Sequence, residues 1–248
     1  MRLKDQVGIV TGGSKGIGRA YVQGLAQEGA QVIVADIADG TSIVEETRRA
    51  QGKARYIRTD VSGASSVRDL VADVLRREGR IDFLVNNAGI PGRFARKPIE
   101  EVTVEEWDRI FAVNARGMFL ASQAVIPHMK GRRAGKIVNI ASNTPFQGTP
   151  GMIPYVASKS TVIGFTRALA REVGDFGIAV NGLAPDYIPL EEDLVKVPAY
   201  AQAIVASRCF KRQMVPEDLV GTLIYLLSSD SDFLTGQTLV VNGGSYLH

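Results

Sequence analysis

The chain has 248 residues, of which 45% are hydrophobic and 22% are charged, as is typical of a soluble globular protein with a full core. Its 29 basic and 26 acidic residues are scattered, and a net charge of +3 argues against a nucleic-acid partner. One cysteine and two histidines exclude an internal disulfide and leave little for a metal site or a Ser-His-Asp triad.

Nothing in the sequence predicts a membrane segment. No apolar run approaches the roughly 18 residues that a membrane span needs. No signal peptide precedes the first predicted strand. We therefore expect a cytoplasmic protein without a membrane partner and without a metal ion.

Apolar segments and helical patterns alternate along the whole chain. Strands are predicted at 6–11, 31–36, 54–59, 81–85, 136–141, 178–183 and 237–241. Helices are predicted from the glycine-rich turn to 28, and at 41–51, 65–78, 103–130, 155–173 and 216–228. This alternation predicts one α/β domain over residues 1–248, a Rossmann-type doubly wound parallel sheet with helices on both faces.

A glycine-rich turn joins the first strand to the first helix. Gly12, Gly16 and Gly18 allow a tight turn and the close approach of a pyrophosphate to the helix N-terminus. Asp36 ends the second strand, where a dinucleotide site places a carboxylate on the adenosine ribose. Together these two features predict nucleotide binding, although a glycine-rich turn alone is a weak signal.

Asp36 also predicts which dinucleotide binds. A carboxylate accepts a hydrogen bond from a ribose 2′-hydroxyl and repels a 2′-phosphate, so NAD is favoured over NADP. Lys15 is a counter-signal, because a basic residue in the turn could meet a phosphate. Ile37 rather than an arginine follows Asp36, so we expect the carboxylate to decide.

The segment Tyr155-Val-Ala-Ser-Lys159 places a phenol and an ammonium one turn apart on a predicted helix. A phenol normally ionises near pH 10. The ammonium favours the phenolate, so we expect Lys159 to lower the pKa of Tyr155 and make it a general acid/base. Ser142 ends the strand at 136–141, where its hydroxyl can face this helix. Taken alone, such a Tyr/Lys pair is more often an exposed one.

Several polar or glycine-rich positions follow the ends of predicted strands. In a parallel sheet the carboxyl ends of the strands form one ligand crevice. The positions expected to converge there are Gly12, Asp36, Asp60, Asn86–Gly89, Ser142 and Pro185-Asp186.

With these motifs the chain resembles the short-chain dehydrogenase/reductase family over nearly its whole length. The motifs are Thr11–Gly18, Asp60-Val61, Asn86–Gly89, Asn114, and Ser142 with Tyr155–Lys159. The resemblance implies an NAD-dependent oxidoreductase that interconverts a secondary alcohol and its carbonyl. It also implies a homotetramer built through the helices that carry Asn114 and Tyr155.

The resemblance assigns a role to each member of the catalytic set. Tyr155 takes the proton of the substrate hydroxyl, and Ser142 hydrogen-bonds the substrate oxygen. Lys159 holds the nicotinamide ribose, and Asn114 positions a water next to it. The implied cofactor contacts are Gly12, Ser14, Lys15, Gly16, Ile17, Gly18, Asp36, Ile37, Asp60, Val61, Asn87, Ala88, Gly89, Tyr155, Lys159, Pro185 and Ile188.

The sequence departs from the family pattern after the sixth strand. Asp186 stands where the family usually has glycine, and Pro189 stands where it has a threonine that binds the nicotinamide carboxamide. Backbone groups of Ile188 could still hold the carboxamide. Asp186 itself is interpreted as a backbone cap, a solvated residue or a substrate contact.

The segment 186–214 has no strand pattern and is the candidate lid over the substrate. Its charges, at 191–193 and at Arg208, Lys211 and Arg212, are interpreted as a solvated face. The pocket walls are expected to be mixed apolar and aromatic, which suits a cyclic or aromatic alcohol. The candidate substrate residues are Asn143, Thr144, Phe146, Gln147, Met152, Asp186 and Tyr187, with Phe94 as a further one.

Two other functions stay open. A 3-oxoacyl-thioester reductase acting on an acyl-carrier protein would prefer NADPH, which Asp36 argues against. A nicotinamide-binding protein without catalysis would have a broken catalytic set, whereas all its members are present here. Outside the site, His128 lies near the end of a long helix, where it suits the negative helix terminus.

Overall fold

The computed structural model describes residues 1–92, 96–189 and 199–247. Seven strands form one sheet in the order β3-β2-β1-β4-β5-β6-β7, and neighbouring strands pair in parallel. The strands are β1 Val7–Thr11, β2 Gln31–Asp36, β3 Lys53–Arg58, β4 Phe83–Asn86, β5 Gly135–Ile140, β6 Ile178–Pro185 and β7 Thr238–Val241. The predicted Rossmann-type parallel sheet is confirmed.

Helices cover both faces of this sheet. They are α1 Gly16–Gln27, α2 Thr41–Arg49, α3 Ala64–Glu78, α4 Val104–Phe111, α5 Met118–Arg132, α6 Thr144–Gln147, α7 Ile153–Val173, α8 Ala199–Ser207 and α9 Glu217–Leu227. Successive strand residues point to opposite faces. In β2, Val32 and Val34 pack with α1 and α9, whereas Ile33 packs with α3 and α5. The near-continuous apolar strands thereby form two cores, one on each face.

The predicted long helix at 103–130 is interrupted. A capping box formed by Thr103 and Glu106 starts α4, and a π-helical turn at Ala112–Gly117 then separates α4 from α5. Such a turn inside a helix is often found at a functional site. Here it carries Asn114, whose side chain is buried.

Two helices were not predicted. The four-residue helix α6 follows Ser142, and α8 lies within the candidate lid. Proline and glycine flank α6, and its hydrophobic pattern is too short to identify a helix from sequence. The remaining predicted boundaries agree with the structure to within about two residues, the usual spread between assignments of helix and strand ends.

The region Val104–Arg132 qualifies, by length and composition alone, as a helix that could cross a membrane. Its most apolar 18-residue window has a mean hydropathy of 1.2, and 39% of that window is buried. The sequence expectation missed this region because the apolar residues do not form one run. The core helix of a soluble protein passes the same test, and the buried side chains of α5 pack in the core with α3 and α7.

Candidate active site

The glycine-rich turn after β1 is shaped by backbone geometry. Gly12 and Gly16 have φ angles of +65° and +56°, in the left-handed region that favours glycine. A Cβ on Gly18 would lie 2.0 Å from the carbonyl oxygen of Gly12. The turn therefore folds back on the start of α1 with no room for a side chain at position 18.

The N-terminus of α1 is prepared for an anion. Lys15 is the N-cap residue, but its side chain makes no capping hydrogen bond, and the first turn carries no acidic residue. The backbone N–H groups at such an end and the helix dipole favour negative charge. Together with the tight turn, this end fits the pyrophosphate of a dinucleotide.

Hydrogen bonds join the segment after β4, in the middle of the sheet, to the glycine-rich turn. The amide Nδ2 of Asn87 donates to the carbonyl oxygens of Thr11 and Gly12 at 3.0 and 2.9 Å. The Thr11 hydroxyl accepts from the backbone N–H groups of Asn87 and Ala88. Loops that are far apart in sequence are thereby held at one edge.

Asp36 lies at the carboxyl end of β2 with only 8% of its surface exposed. Its Oδ2 accepts from the N–H of Ser14 at 3.0 Å, and its Oδ1 accepts from the N–H of Ala38 at 3.0 Å. The buried Ser14 donates its hydroxyl to the carbonyl of Ala38 at 3.3 Å. The carboxylate is thus fixed beside the glycine-rich turn.

The other residues expected to contact adenosine lie along the same edge. Ile37 is 65% exposed, and Val61 is buried against Gly117. Asp60 is exposed, and its Oδ1 accepts from the N–H and the hydroxyl of Ser62 at 2.9 and 2.7 Å. Ile37 and Asp60 therefore face solvent near Asp36.

Ser142, Tyr155 and Lys159 come together between β5 and α7. The Lys159 Nζ lies 6.0 Å from the centroid of the Tyr155 ring and donates to the Ile140 carbonyl at 2.7 Å. The Ser142 hydroxyl accepts from the N–H and hydroxyl of Thr144, and Ser142 lies close enough to the phenol of Tyr155 to lower its pKa. The structure therefore brings the three predicted side chains to one place.

The expected lowering of the Tyr155 pKa is not found in this structure. Burial of the phenol raises the pKa of Tyr155, and the hydrogen bond from Ser142 offsets only part of that rise. Burial also lowers the pKa of Lys159 from 10.5 to about 8, so its positive charge is itself costly here. The spacing of Tyr155 and Lys159 in the sequence shows their nearby charge, whereas the desolvation of both groups depends on the fold.

Asn114 is hydrogen-bonded to two separate segments. Its Oδ1 accepts from the N–H of Ile90 at 2.7 Å, and its Nδ2 donates to the hydroxyl of Ser158 at 3.1 Å. The Ser158 hydroxyl donates in turn to the carbonyl of Tyr155 at 2.7 Å. Asn114 therefore connects the loop after β4 to the start of α7.

A small cavity lies behind Lys159, with about 10 Å³ open to the centre of a water molecule. That is about the space that one water requires. Its lining includes Thr11, Asn86, Asn114 and Lys159. Among the described residues, the buried Oδ1 of Asn86 has no hydrogen-bond partner, so this wall offers an acceptor.

The residues expected to meet the nicotinamide lie where β5 and β6 end. The buried Pro185 accepts at its carbonyl from the N–H of Asn143 at 2.8 Å. Ile188 packs partly buried against the core under α1 and α9. Gly89 lies near Asn114 and Lys159, at distances that leave no room for a large side chain.

The candidate substrate residues differ in their burial and in their packing partners. Met152 is buried beside Tyr155, and the Tyr187 ring meets the Tyr200 ring edge-on at 5.4 Å. Phe146 stacks with Tyr246 at 6.1 Å, and Gln147 is exposed. Phe94 and the charged residues 191–193 lie outside the described residues.

Asn143 and Asp186 are committed to contacts within the protein. Asn143 is 1% exposed, and its Nδ2 donates to the hydroxyl of Ser245 at 3.1 Å. The Asp186 carboxylate is paired with the buried guanidinium of Arg208 at 3.0 Å. This ion pair corrects the interpretation of Arg208 as a solvated charge and of Asp186 as a solvated residue, whereas a substrate contact of Asp186 stays a prediction.

Sequence reasoning missed Gly92. A Cβ at this position would lie 2.8 Å from Cδ1 of Tyr155 and 2.9 Å from the sulfur of Met152. Gly92 therefore packs directly on the ring of Tyr155. Its glycine-rich surroundings, Ala88-Gly-Ile-Pro-Gly92, were a signal, but only the fold shows which side chain the glycine admits.

Comparison with known proteins agrees with this geometry. The family model described as short chain dehydrogenase matches residues 6–192. The chain is 37% identical over 247 residues to cyclopentanol dehydrogenase from Comamonas sp. (strain NCIMB 9872), covering 98% of each protein.

Two further matches have similar coverage. The chain is 37% identical over 249 residues to 3-oxoacyl-[acyl-carrier-protein] reductase FabG from Thermotoga maritima, covering 98% of this chain and 99% of the relative. The crystal structure of gox2181 superposes with a TM-score of 0.94 at 33% identity, covering 98% of this chain and 96% of that one.

Proposed function

Because the chain belongs to the short-chain dehydrogenase/reductase family, oxidoreductases that act on alcohol and carbonyl groups, we propose that it is an NAD-dependent secondary-alcohol dehydrogenase. We propose a cyclic or aromatic alcohol as its substrate and residues 1–248 as one catalytic domain. The observation that carries the proposal is the meeting of Ser142, Tyr155 and Lys159 beside a turn and a carboxylate that fit a dinucleotide.

Tyr155 is the proposed general base in the oxidation. Its phenolic oxygen takes the proton of the substrate hydroxyl, and the same proton returns to the carbonyl oxygen in the reduction. Bound NAD would supply the hydride acceptor for the carbinol carbon. Burial raises the pKa of Tyr155. Proton transfer therefore needs the positive charge of Lys159, which favours the phenolate.

Ser142 is the proposed partner of the substrate oxygen. Its oxygen already accepts from two groups of Thr144, at 3.2 and 3.1 Å, so its own proton is directed elsewhere. Its contact with Tyr155 places that donor next to the general base. The substrate oxygen would thus be held between Ser142 and Tyr155.

Lys159 and Asn114 form the proposed route for the proton. Lys159 lines the small cavity together with Asn86 and Asn114. A water there would have an acceptor in Asn86 and a donor in Lys159. The ammonium of Lys159 is also the proposed partner of the hydroxyls of a nicotinamide ribose.

Asp36 supports the choice of NAD. Both carboxylate oxygens are fixed by backbone N–H groups, yet each keeps further acceptor capacity for a ribose hydroxyl. A 2′-phosphate at the same place would meet a nearly buried negative charge. A carboxylate at this position would thus favour NAD over NADP.

The apolar surroundings of Tyr155 support a ring substrate. Met152 and Gly92 border the Tyr155 ring, and the Tyr187 ring packs edge-on against the Tyr200 ring. The two polar side chains that a sugar acid could have used, Asn143 and Asp186, are already paired within the protein. A relative named cyclopentanol dehydrogenase is consistent with this choice.

A second candidate is a 3-oxoacyl-thioester reductase that uses NADPH. It is supported by the exposed Lys15 and by Arg58, which pairs with Asp36 in the sheet register and is exposed. Either basic side chain could meet a phosphate. A relative named 3-oxoacyl-[acyl-carrier-protein] reductase is as similar in sequence as the cyclopentanol dehydrogenase.

We also propose a cytoplasmic homotetramer. Val104, Trp107 and Phe119, on α4 and α5, are 70%, 37% and 43% exposed. Exposed apolar side chains on neighbouring helices are typical of a protein interface. Light scattering across a concentration series would give the mass, and a monomer at all concentrations would contradict the tetramer.

The test of function is a substrate and cofactor panel. Purified protein is incubated with NAD⁺ or NADP⁺ and cyclic, aromatic or 3-hydroxyacyl-thioester alcohols, and reduced nicotinamide is followed by absorbance. We expect turnover of a ring alcohol with NAD⁺. Activity restricted to NADP⁺ and 3-hydroxyacyl thioesters would establish the second candidate instead.

The variant Asp36→Asn tests the cofactor choice in the same assay. Removing the charge should lower the preference for NAD⁺ over NADP⁺ by roughly 10- to 100-fold, the value of one hydrogen bond to a charged group. Asp69→Asn, which removes an exposed charge on α3 outside the site, is the matched control and should leave that preference unchanged. A preference unaltered in Asp36→Asn would refute the role of the carboxylate.

A further inference from the structure

Asp186 and Arg208 form a buried ion pair at the end of β6. Their side chains are 6% and 2% exposed, and Nε of Arg208 lies 3.0 Å from Oδ2 of Asp186. Charges that are removed from water to this degree persist only when they are paired and hydrogen-bonded. The pair is therefore a defined contact rather than a chance surface encounter.

The guanidinium of Arg208 connects two separate segments. Its Nη2 donates to the carbonyl of Tyr187 at 2.8 Å, and its Nη1 donates to the carbonyl of Arg212 at 3.1 Å. Each of its three nitrogens has a partner, as the planar fork of an arginine allows. A lysine could satisfy the charge of Asp186 but not all these acceptors.

The C-terminal residues cover this pair. Gly243 and Gly244 have φ angles of +62° and +80°, and a Cβ on Gly243 would lie 3.4 Å from Cδ of Arg208. The N–H of Phe210 donates to the carbonyl of Gly243 at 2.9 Å. The chain passes closely over Arg208 and excludes water from it.

The pair lies next to the reaction site on two sides. Asp186 follows Pro185, whose carbonyl accepts from the N–H of Asn143, and Asn143 directly follows Ser142. Oδ1 of Asp186 also lies 3.5 Å from Nδ2 of Asn143. On the other side, Tyr187 precedes Ile188, whose backbone was expected to meet the nicotinamide carboxamide.

We propose that Arg208 is a positioning residue for the nicotinamide end of the site. It holds the Asp186 carboxylate and the Tyr187 carbonyl, and thereby fixes the backbone from Pro185 to Ile188 on which the cofactor rests. Through Asp186 and Asn143 the same guanidinium steadies the strand end that carries Ser142. This inference rests on the proposed function, because it presumes that a nicotinamide dinucleotide binds here.

The proposal is tested with NADH and the full-length protein. The dissociation constant is measured by NADH fluorescence for wild type, Asp186→Asn, Arg208→Gln, the double variant and Arg208→Lys. All measurements are made below the melting temperature of each variant, with the folded fraction taken from circular dichroism. This readout needs no known substrate.

Asp186→Asn and Arg208→Gln should each weaken NADH binding at least about tenfold, the effect of losing one hydrogen bond to a charged group. The double variant should bind better than Arg208→Gln, because it leaves no buried charge unpaired. Arg208→Lys should fall between wild type and Arg208→Gln, and it serves as the folded test if Arg208→Gln does not fold. If Arg208 only stabilised the fold, these variants would lower the melting temperature and leave the NADH affinity of the folded protein unchanged.

Arg212→Gln is the matched control. Arg212 pairs with Asp218 at 2.6 Å near the same end of the segment, but this pair is partly exposed and does not touch residues 185–188. The control should bind NADH as wild type does. Wild-type affinity in folded Arg208→Gln or Arg208→Lys would overturn the inference, whereas a wild type that binds neither NADH nor NADPH would overturn the proposed function instead.

Discussion

The carboxyl edge of the sheet has two ends that differ in the groups that hold their polar side chains. At the end of β2, the two carboxylate oxygens of Asp36 accept from the backbone N–H groups of Ser14 and Ala38. At the end of β6, the Asp186 carboxylate accepts from the side chain of Arg208, and the Asn143 amide donates to the side chain of Ser245. The proposed adenosine end thus relies mostly on backbone groups, and the proposed catalytic end on side chains.

This difference decides what each end tolerates. Backbone groups at the adenosine end are sensitive to shape, since any side chain at Gly18 collides with the Gly12 carbonyl. Buried ionisable groups at the catalytic end are sensitive to charge, because burial shifts the pKa values of Tyr155 and Lys159 in opposite directions. Substitutions that change only chemistry or only shape should therefore affect the two ends differently.

The largest effect is expected for Tyr155→Phe, which changes chemistry and keeps the ring. Loss of the proton carrier should lower kcat by about 10²- to 10⁴-fold, the usual contribution of a general acid/base. NADH affinity at the adenosine end should stay near wild type. Steady-state kinetics and NADH fluorescence measure the two ends separately.

Tyr225→Phe is its matched control, because Tyr225 lies 37% exposed on α9 and has no part in the site. It should keep full turnover. Undiminished kcat in Tyr155→Phe would remove this residue from the proposed mechanism.

Gly18→Ala should give the opposite pattern, because it changes shape and adds no charge. Its Cβ would lie 2.0 Å from the Gly12 oxygen, so the turn must open. Overpacking of this kind costs about 1–3 kcal/mol of unfolding free energy. NADH affinity should fall with it, as measured by urea denaturation and fluorescence titration.

Gly131→Ala is the control for Gly18→Ala, because it adds the same methyl group at a different position. Gly131 lies in the last turn of α5, with nothing within 4 Å of an added Cβ. Alanine should be neutral or slightly stabilising there. Wild-type NADH affinity in Gly18→Ala would show that the turn does not have to keep this shape for the cofactor.

Gly92→Ala tests whether shape also matters at the catalytic end. The added Cβ would lie 2.8 Å from Cδ1 of Tyr155, and the ring would have to move. A misplacement of about 1 Å can cost roughly 10²-fold in rate, so we expect kcat to fall about 10- to 100-fold. The effect should lie in kcat, with NADH affinity little changed; a variant altered only in NADH affinity would contradict the assignment.

The two ends also differ in what the sequence predicts. The turn at Gly12–Gly18 and the carboxylate at Asp36 follow from local spacing, since their geometry is set by neighbouring backbone. Tyr155 and Lys159 share a helix, so their meeting was predictable, but the direction of the Tyr155 pKa was not, because it depends on burial. The partner of Asp186 and the contact of Gly92 come from other segments, and only the packed fold identifies them.

The smallest effect is expected away from the site, at His128. Its Nε2 accepts from the N–H of Ile81 at 3.2 Å, which requires the neutral ring, so it is not the cation expected at the helix end. Burial lowers the pKa of His128, and the positive charges of Arg132 and Arg80 lower it further. The negative charge of Asp82 acts in the opposite direction and raises it. The unfolded chain therefore takes up a proton at higher pH than the folded one, and stability is lost as pH falls below about 6.5.

His128→Gln keeps an acceptor for Ile81 and removes the titration. Urea denaturation at pH 8 and pH 5 should show a wild type that loses more stability on acidification than this variant does. The catalytic residues are the same in both proteins, so the difference isolates one buried acceptor from the charges around Lys159. Parallel losses in the two proteins would mean that His128 is protonated equally in the folded and unfolded chains.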